Sequence, residues 1–458
     1  MYPIAPNYDL VKPFGIKDER LYIGNISVND LTERYDTPTF YVSGDRFEDN
    51  IKEYEESFRQ EGYNGNMFTI AYAIKAHTNL ALLKFAKNRG TGFDVSYKNE
   101  LYAALNTGIS PDKIFFNGNA KKRAALIEAI ERGVVINIDN LMELDEIIDI
   151  QKRLGKKARI SIRVNPEIDV DTDPAIATAV KNSKFGLNFN LAEKAYKLAI
   201  SNNMDVKGIH MHLGSQITNM SVFKEGTTKF VEFAKHLEEE LRLEFELLNF
   251  GGGLGISYAK NRSEEEKIVK NLKEINKNED IHSNFYCPIS KRDYVKNIVD
   301  SVSILNHDVK IVIEPGRSLI GDACILVGRV MNIKEGSPDI VSLDMGANLV
   351  LENIIMKNYN NIIIANKARN KSDNHVKFVG NLCYAGDFVS PFEWEMPDLK
   401  KGDLVSLMDA GAYHWFFACH GNSVEFPATV LVYKDKEYLI RKRERYDDVF
   451  ANDVDLDL

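Results

Sequence analysis

A lysine, a carboxylate with an arginine, a pair of histidines and a run of glycines fall at positions in this sequence that suit chemistry on an amine. Lys75 directly follows the apolar run FTIAYAI. A lysine at the mouth of a packed strand is partly desolvated, which lowers its pKa and fits it to attack an aldehyde, although the same residue could simply end a strand in solvent. The run Gly251-Gly252-Gly253-Leu254-Gly255 lets bare backbone N–H groups approach an anion closely. Glu314-Pro315-Gly316-Arg317 ends another apolar run and adds an acid and a guanidinium. His210 and His212 lie two residues apart and so face one side of a strand. They could ligate a metal, but no third His, Cys or carboxylate has a companion spacing, and an imidazole against a flat ring is the competing role. A lysine for an aldehyde, glycines for a phosphate and a carboxylate for a pyridine nitrogen together suit pyridoxal phosphate, with no metal.

These residues need a scaffold that gathers them, and the hydrophobic pattern supplies one. Eight short β-rich runs alternate with helix-patterned segments: Phe68–Ala73, Gly92–Val95, Lys113–Asn117, Val134–Ile138, Arg159–Val164, Val206–Leu213, Phe245–Phe250 and Lys310–Ile313. Segments between them, such as KRAALIEAIERG and FVEFAKHLEEEL, repeat their apolar residues every three or four positions. Eight βα units predict an α/β fold built on a TIM (β/α)8 barrel. A doubly wound open sheet is the alternative, but the glycine-rich element comes only after the seventh strand. In a barrel the active site lies at the C-terminal strand ends. Polar residues accumulate there: Lys75, Asp94 with Ser96, Asn117, Asp139, Arg163 with Asn165, His212 with Ser215, the glycine run, and Glu314 with Arg317. Each Asp or Asn alone could be a helix cap or turn former, so the accumulation is the signal.

After Glu314 the pattern changes to strands and turns with hardly any helical period, which predicts an all-β domain. Residues 21 to 42 also read partly as strand, so that domain is expected to draw on both ends of the chain. The expected division is a barrel over 46–313 and a β domain from 1–45 with 314–458. Residues 258 to 296, rich in Lys, Asn and Glu, read as a mobile surface loop with one helical piece.

Composition narrows the partners. The 458 residues carry 58 Lys plus Arg against 67 Asp plus Glu, a net charge of −9, with no long basic block. Nucleic acid is therefore not an expected partner. Four scattered cysteines without a CxxC pair suit a reducing compartment, and no stretch approaches the roughly 18 apolar residues of a membrane helix. A cytoplasmic protein is expected.

The segments YAIKAHTN (72–79), FDVSYKNE (93–100), IRVNPEID (162–169), SKFGLN (183–188), HMHLGSQI (210–217), NFGGGLG (249–255), EPGRSL (314–319) and DAGAY (409–413) follow one another along nearly the whole chain. Together they resemble diaminopimelate decarboxylase, one of the alanine-racemase-fold pyridoxal phosphate decarboxylases. The resemblance implies a TIM barrel plus a β domain, and a homodimer whose active sites draw on both subunits. It further implies that Lys75 holds the cofactor, His212 stacks on its ring and Glu314 pairs with the pyridine nitrogen. Ser215, Gly252, Gly253, Gly316 and Arg317 would surround the phosphate, joined by Tyr413, with Asp94 close to the cofactor. Cys383, in GNLCYAGD, matches a cysteine supplied by the neighbouring subunit. Arg317, Tyr384, Asp387, Tyr413 and His414 are the candidate substrate contacts.

The sequence departs from that family at the distal substrate end. Diaminopimelate decarboxylases carry CES where this chain has Cys383-Tyr384-Ala385, an Arg-Pro with a tyrosine four residues after the arginine where it has Glu352-Asn353 and Met356, and Tyr-Asn where it has Gly421-Asn422. A glutamate in place of an arginine sets like charges together if a distal carboxylate binds there. An acylated diamino acid such as N-citrylornithine, from siderophore assembly of the rhizoferrin type, is therefore the expected substrate, with Tyr384, His414 and His420 as donors. Diaminopimelate or another basic amino acid is the alternative, and a catalytically silent homologue is a third.

Overall fold

The computed structural model describes residues 10–168, 177–181, 183–275, 284–356, 358–369, 374–454 and 456. The chain forms two compact units, one of residues 48–256 and 287–319, the other of residues 1–47, 257–286 and 320–458.

The first unit is a closed barrel of eight parallel strands: β1 Phe68–Ala73, β2 Gly92–Val95, β3 Ile114–Phe116, β4 Val135–Ile138, β5 Arg159–Arg163, β6 Asp205–His210, β7 Leu247–Asn249 and β8 Lys310–Ile313. All eight strands fall on the expected runs, with ends trimmed by at most three residues. They are almost continuously buried because a parallel barrel strand faces side chains on its inside and helices on its outside. Asparagines start several of the outer helices. Asn79, Asn140 and Asn188 accept from the first-turn N–H groups of Leu80–Lys87, Leu141–Leu154 and Phe189–Ser201, while Gly133 and Gly155 end helices in left-handed conformations.

The second unit is a nine-stranded sheet with a separate three-stranded antiparallel sheet, Phe14–Lys17, Arg20–Ile23 and Ile26–Ser27. At its centre the strand Thr39–Ser43 lies between Cys324–Lys334, antiparallel, and Ala428–Tyr433, parallel. Both ends of the chain thus share one sheet. This unit is not purely β. A helix over Ala347–Ile355 interrupts the strands, and its apolar residues Ala347, Leu349 and Val350 are buried.

The polar insertion differs most from its sequence reading. Helix Arg262–Ile275 is present, a second helix runs over Lys291–Val302, and residues 257–286 group with the sheet unit. Glu265, Ile268 and Leu272, spaced by three and four, form one buried face. Charged residues at the surrounding positions hid that face in the composition. Residues 276–283 of the expected loop lie outside the described residues. The buried Glu265 carboxylate accepts from Phe285 N at 2.7 Å and Tyr286 N at 2.9 Å, which ties the returning chain to the helix. Among the described residues no helix is long and apolar enough to cross a membrane.

Glu265→Ala removes the acceptor from two backbone N–H groups in a water-poor place, so it should destabilise the fold by about 2 kcal/mol. A denaturant melt of the variant against the parent measures this.

Candidate active site

Two buried carboxylates occupy the mouth of the barrel and are held in different ways. Asp94, near the end of β2, takes the Lys75 ammonium at 3.1 Å on Oδ2 and the Asn117 amide at 2.7 Å on Oδ1. Glu314, just after β8, faces His210 Nε2 at 3.2 Å through Oε2, and its Oε1 accepts from Asn249 at 2.7 Å and Asn117 at 3.0 Å. Burial pushes Asp94 above the ordinary carboxylate range. Lys75 and Asn117 oppose that shift and the nearby charge of Glu314 adds to it. Burial pushes Glu314 up as well, but attraction to His210, then the hydrogen bonds from His210 and the two amides, bring it down to about 2. Glu314 is thus the fixed negative charge of the mouth, and Asp94 is the acid that gains a proton first.

His212 is the second electrostatic feature. Burial, then Lys75 and Arg163, hold its imidazole well below the usual histidine range, so it is neutral. Its Nδ1 accepts from Gly252 N at 3.0 Å, which leaves the proton on Nε2. The glycine run has little room for side chains. A Cβ on Gly252 would lie 2.3 Å from the Glu314 carbonyl oxygen, and one on Gly253 would lie 2.9 Å from that of Gly214. Asn249 Oδ1 accepts from Gly251 N at 2.9 Å, and Glu314 N donates to the Gly251 carbonyl at 2.7 Å. The loops after β7 and β8 are therefore joined by backbone and side-chain hydrogen bonds. Gly316 and Arg317 follow at the start of the short helix Arg317–Ile320, and Ser215 lies in the partly exposed turn after His212. On β5, Arg163 is buried with its guanidinium 4.5 Å from the centre of the Phe185 ring, and its Nη2 has no hydrogen-bond partner among the described residues.

Other strand-end residues serve the local chain. Asn165 accepts from Glu167 N and donates to the Val180 carbonyl, and Asp139 accepts from Gly186 N. Both thus hold described segments near the end of β5, around Glu167, Val180 and Gly186. His210 Nε2 faces Glu314 and His212 Nδ1 accepts from Gly252 N, so the two imidazoles have separate partners.

In the sheet unit, two of the candidate substrate contacts turn inward. Asp387 accepts from Ala347 N at 2.6 Å on one oxygen and Leu382 N at 2.6 Å on the other, so it caps helix Ala347–Ile355 and anchors the loop carrying Cys383. His414 is fully buried, with Nδ1 3.1 Å from Glu352 Oε2. Both Asp387 oxygens are thus used inside the fold, and His414 is buried beside Glu352 with its Nε2 unpaired among the described residues. Cys383 and Tyr384 are exposed, and Cys383 N donates to Asn422 Oδ1 at 2.7 Å. Tyr413 adopts a left-handed backbone, φ 67°, where it caps the short helix His414–Phe417. His420 pairs with Glu444 at 2.7 Å on the surface.

Sequence reasoning missed Asn137 and Asn249 and gave His210 no settled role. All three are polar residues inside otherwise apolar barrel strands, an alternation signal that marks inward-facing groups. Lys121 was also missed. Its ammonium is fully buried and donates to the Gly118 and Asn137 carbonyls and to Glu143 Oε1 at 2.7 Å.

Residues 45–321 match the family model described as "Pyridoxal-dependent decarboxylase, pyridoxal binding domain". Over 449 residues the chain is 35% identical to diaminopimelate decarboxylase of Methanocaldococcus jannaschii, covering 96% of each chain. It is 32% identical over 437 residues to that of Archaeoglobus fulgidus, covering 95% of this chain and 97% of the relative. The solved structure of the M. jannaschii enzyme in complex with L-lysine superposes with a TM-score of 0.85 at 33% identity, covering 97% and 98% of the two chains. The mouth fits a pyridoxal group. Lys75 offers a partly exposed amine, Glu314 a fixed carboxylate, the glycine loops close backbone, and Arg163 an unmet buried donor.

The depressed Glu314 pKa contributes stability that is present above its ordinary value, near pH 4.5, and is lost as pH falls through about 2. His210→Ala leaves burial less opposed and raises that pKa. Acid unfolding of this variant, followed by circular dichroism, should therefore begin at a pH about one unit or more above that of the parent.

Proposed function

The chain belongs to the pyridoxal-dependent decarboxylases, and from that family membership we propose that it removes the α-carboxylate of diaminopimelate at the mouth of its barrel. Its cofactor is pyridoxal phosphate, which supplies an electron sink for the pair left on Cα when CO2 departs. The observation that carries this reading is the pair of differently held carboxylates, Asp94 beside Lys75 and Glu314 beside His210. Lys75, its amine beside Asp94, would hold the cofactor through its aldehyde. Asp94 neutralises the Lys75 ammonium and accepts its proton when the amine becomes neutral. Glu314, charged at every physiological pH, keeps a proton on the pyridine nitrogen and so strengthens the electron sink. His212, neutral and held edge-on by Gly252, offers an uncharged face for the ring. Gly253, Gly316 and Ser215 would offer backbone and hydroxyl donors for the phosphate beside Arg317, and Gly252, whose N–H is given to His212, would allow its close approach.

Diaminopimelate is favoured as substrate because full-length relatives with that activity match this chain from end to end. A second reading has one observation in its favour. Glu352 stands where the family arginine is expected, and it is buried against His414. A substrate without a free distal ammonium and carboxylate, such as N-citrylornithine of siderophore assembly, would not need that arginine. None of the compared relatives carries that activity in its name, and His414, one of its expected donors, is committed to Glu352.

The working form is proposed to be a cytoplasmic homodimer in which the Cys383 loop completes the partner's barrel mouth. The exposure of Cys383 and Tyr384, on a loop fixed from behind by Asp387 and Asn422, supports this. In that arrangement Cys383 returns a proton to Cα.

Mixing inactive Lys75→Ala with inactive Cys383→Ala should restore up to about a quarter of the parent activity, because half of randomly exchanged dimers hold one intact site of two. No recovery after demonstrated subunit exchange would place both residues in one subunit's site. For the substrate, kcat/KM should be highest for diaminopimelate among diaminopimelate, citrylornithine, ornithine and lysine, since a site that hydrogen-bonds a distal group rejects analogues lacking it by as much as ~10⁴-fold. A higher value for citrylornithine would replace the first reading by the second.

A further inference from the structure

Between the two carboxylates of the mouth lies one neutral side chain. Asn117 donates through the same amide nitrogen to Asp94 Oδ1 at 2.7 Å and to Glu314 Oε1 at 3.0 Å. Its other end is fixed, because Asn137 donates to Asn117 Oδ1 at 2.8 Å. That contact forbids the flipped amide, which would aim a carbonyl at two carboxylates. Asn137 is held in turn. The Lys121 ammonium, buried and using its three donors on Gly118, Asn137 and Glu143, grips the Asn137 carbonyl at 2.8 Å. Glu143 is pinned by the N–H of Asp139 at 2.7 Å.

We propose that Asn117 is a positioning residue that keeps Asp94 and Glu314 both ionised and apart in the resting site, and that Asn137 and Lys121 fix its orientation. The proposal rests on the roles given above to Lys75 and Glu314. Two carboxylates in one buried mouth repel, and in place of the bridge they would share a proton. The amide gives each a donor without adding charge. It thereby leaves the Lys75 ammonium to the other Asp94 oxygen and the His210 imidazole to the other Glu314 oxygen. Other groups that act on these two acids are Arg163 on β5, neutral His212 after β6, and Tyr294 from the helix after residue 290. Glu100, on the helix after β2, lies near Asp94 and Lys75. None of these acts on both acids through a neutral donor.

The test uses Asn117→Leu, close in volume and without donors, and Asn137→Ala, which frees the Asn117 amide to turn. The readouts are the pH dependence of pyridoxal phosphate affinity for the apoenzyme, followed by fluorescence, and the acid limb of kcat/KM. Loss of a hydrogen bond to a charged acid raises its pKa, so the acid midpoint of both profiles should rise by about one unit in Asn117→Leu. Asn137→Ala should shift it in the same direction by less. Borohydride trapping of the cofactor on Lys75 of the parent is read first, and its absence overturns the cofactor roles proposed above. With trapping established, a folded Asn117→Leu whose melting temperature falls while both midpoints stay in place overturns the bridging proposal alone. If Asn117→Leu does not fold, the Asn137→Ala midpoint decides.

Discussion

Two acids buried in one small mouth repel each other, and without unequal partners they would share one proton between them. The barrel resolves this with unequal donor sets. Glu314 takes His210 and the amides of Asn249 and Asn117, and stays charged to about pH 2. Asp94 has only Lys75 and Asn117, so burial and the charge of Glu314 raise its pKa. The rest of the site follows from that inequality. The fixed charge lies beside His210 and Asn249, and the responsive acid lies beside Lys75.

The loops that surround this pair are rigid for backbone reasons. Gly252 has no room for a side chain against the Glu314 carbonyl, and the Gly251 carbonyl receives the Glu314 N–H. The phosphate-facing loop and the carboxylate-bearing loop therefore cannot move independently. His212 joins them through Gly252 N, and the same hydrogen bond selects its tautomer. Position and protonation state are set by one contact.

The sheet unit prepares its exposed loop by a separate device. Asp387 spends both oxygens on backbone N–H groups, joining the start of helix Ala347–Ile355 to the segment before Cys383. Asn348 on the same helix exchanges hydrogen bonds with Cys419, and Glu352 one turn later meets His414. One short helix thus anchors the Cys383 loop, the Tyr413 turn and the segment up to Cys419. Tyr413 keeps a left-handed backbone that a bulky residue adopts at a cost of ~1–2 kcal/mol, and this packing is what holds it there.

The sequence by itself determined the barrel and the main actors of its mouth. Strand periodicity is local, and in a barrel the chain order alone sends every strand end to one face, so Lys75, Asp94, Glu314, His212 and the glycine run could be gathered without coordinates. It also showed that both chain ends feed the sheet unit, because strands are readable even when their partners are distant. Tertiary structure decided what each polar side chain is spent on. Asn140 caps a helix while Asn117 bridges two acids, and no local pattern separates them, since the difference is whether the partner is the next turn of chain or a strand nearly 200 residues away. For the same reason the internal partners of Asp387 and His414, the Ala347 N–H and Glu352, could not be read from the sequence. The insertion looked like solvated loop because its charge is plain in the composition, while its single buried face of Glu265, Ile268 and Leu272 exists only once a surface is present to cover it.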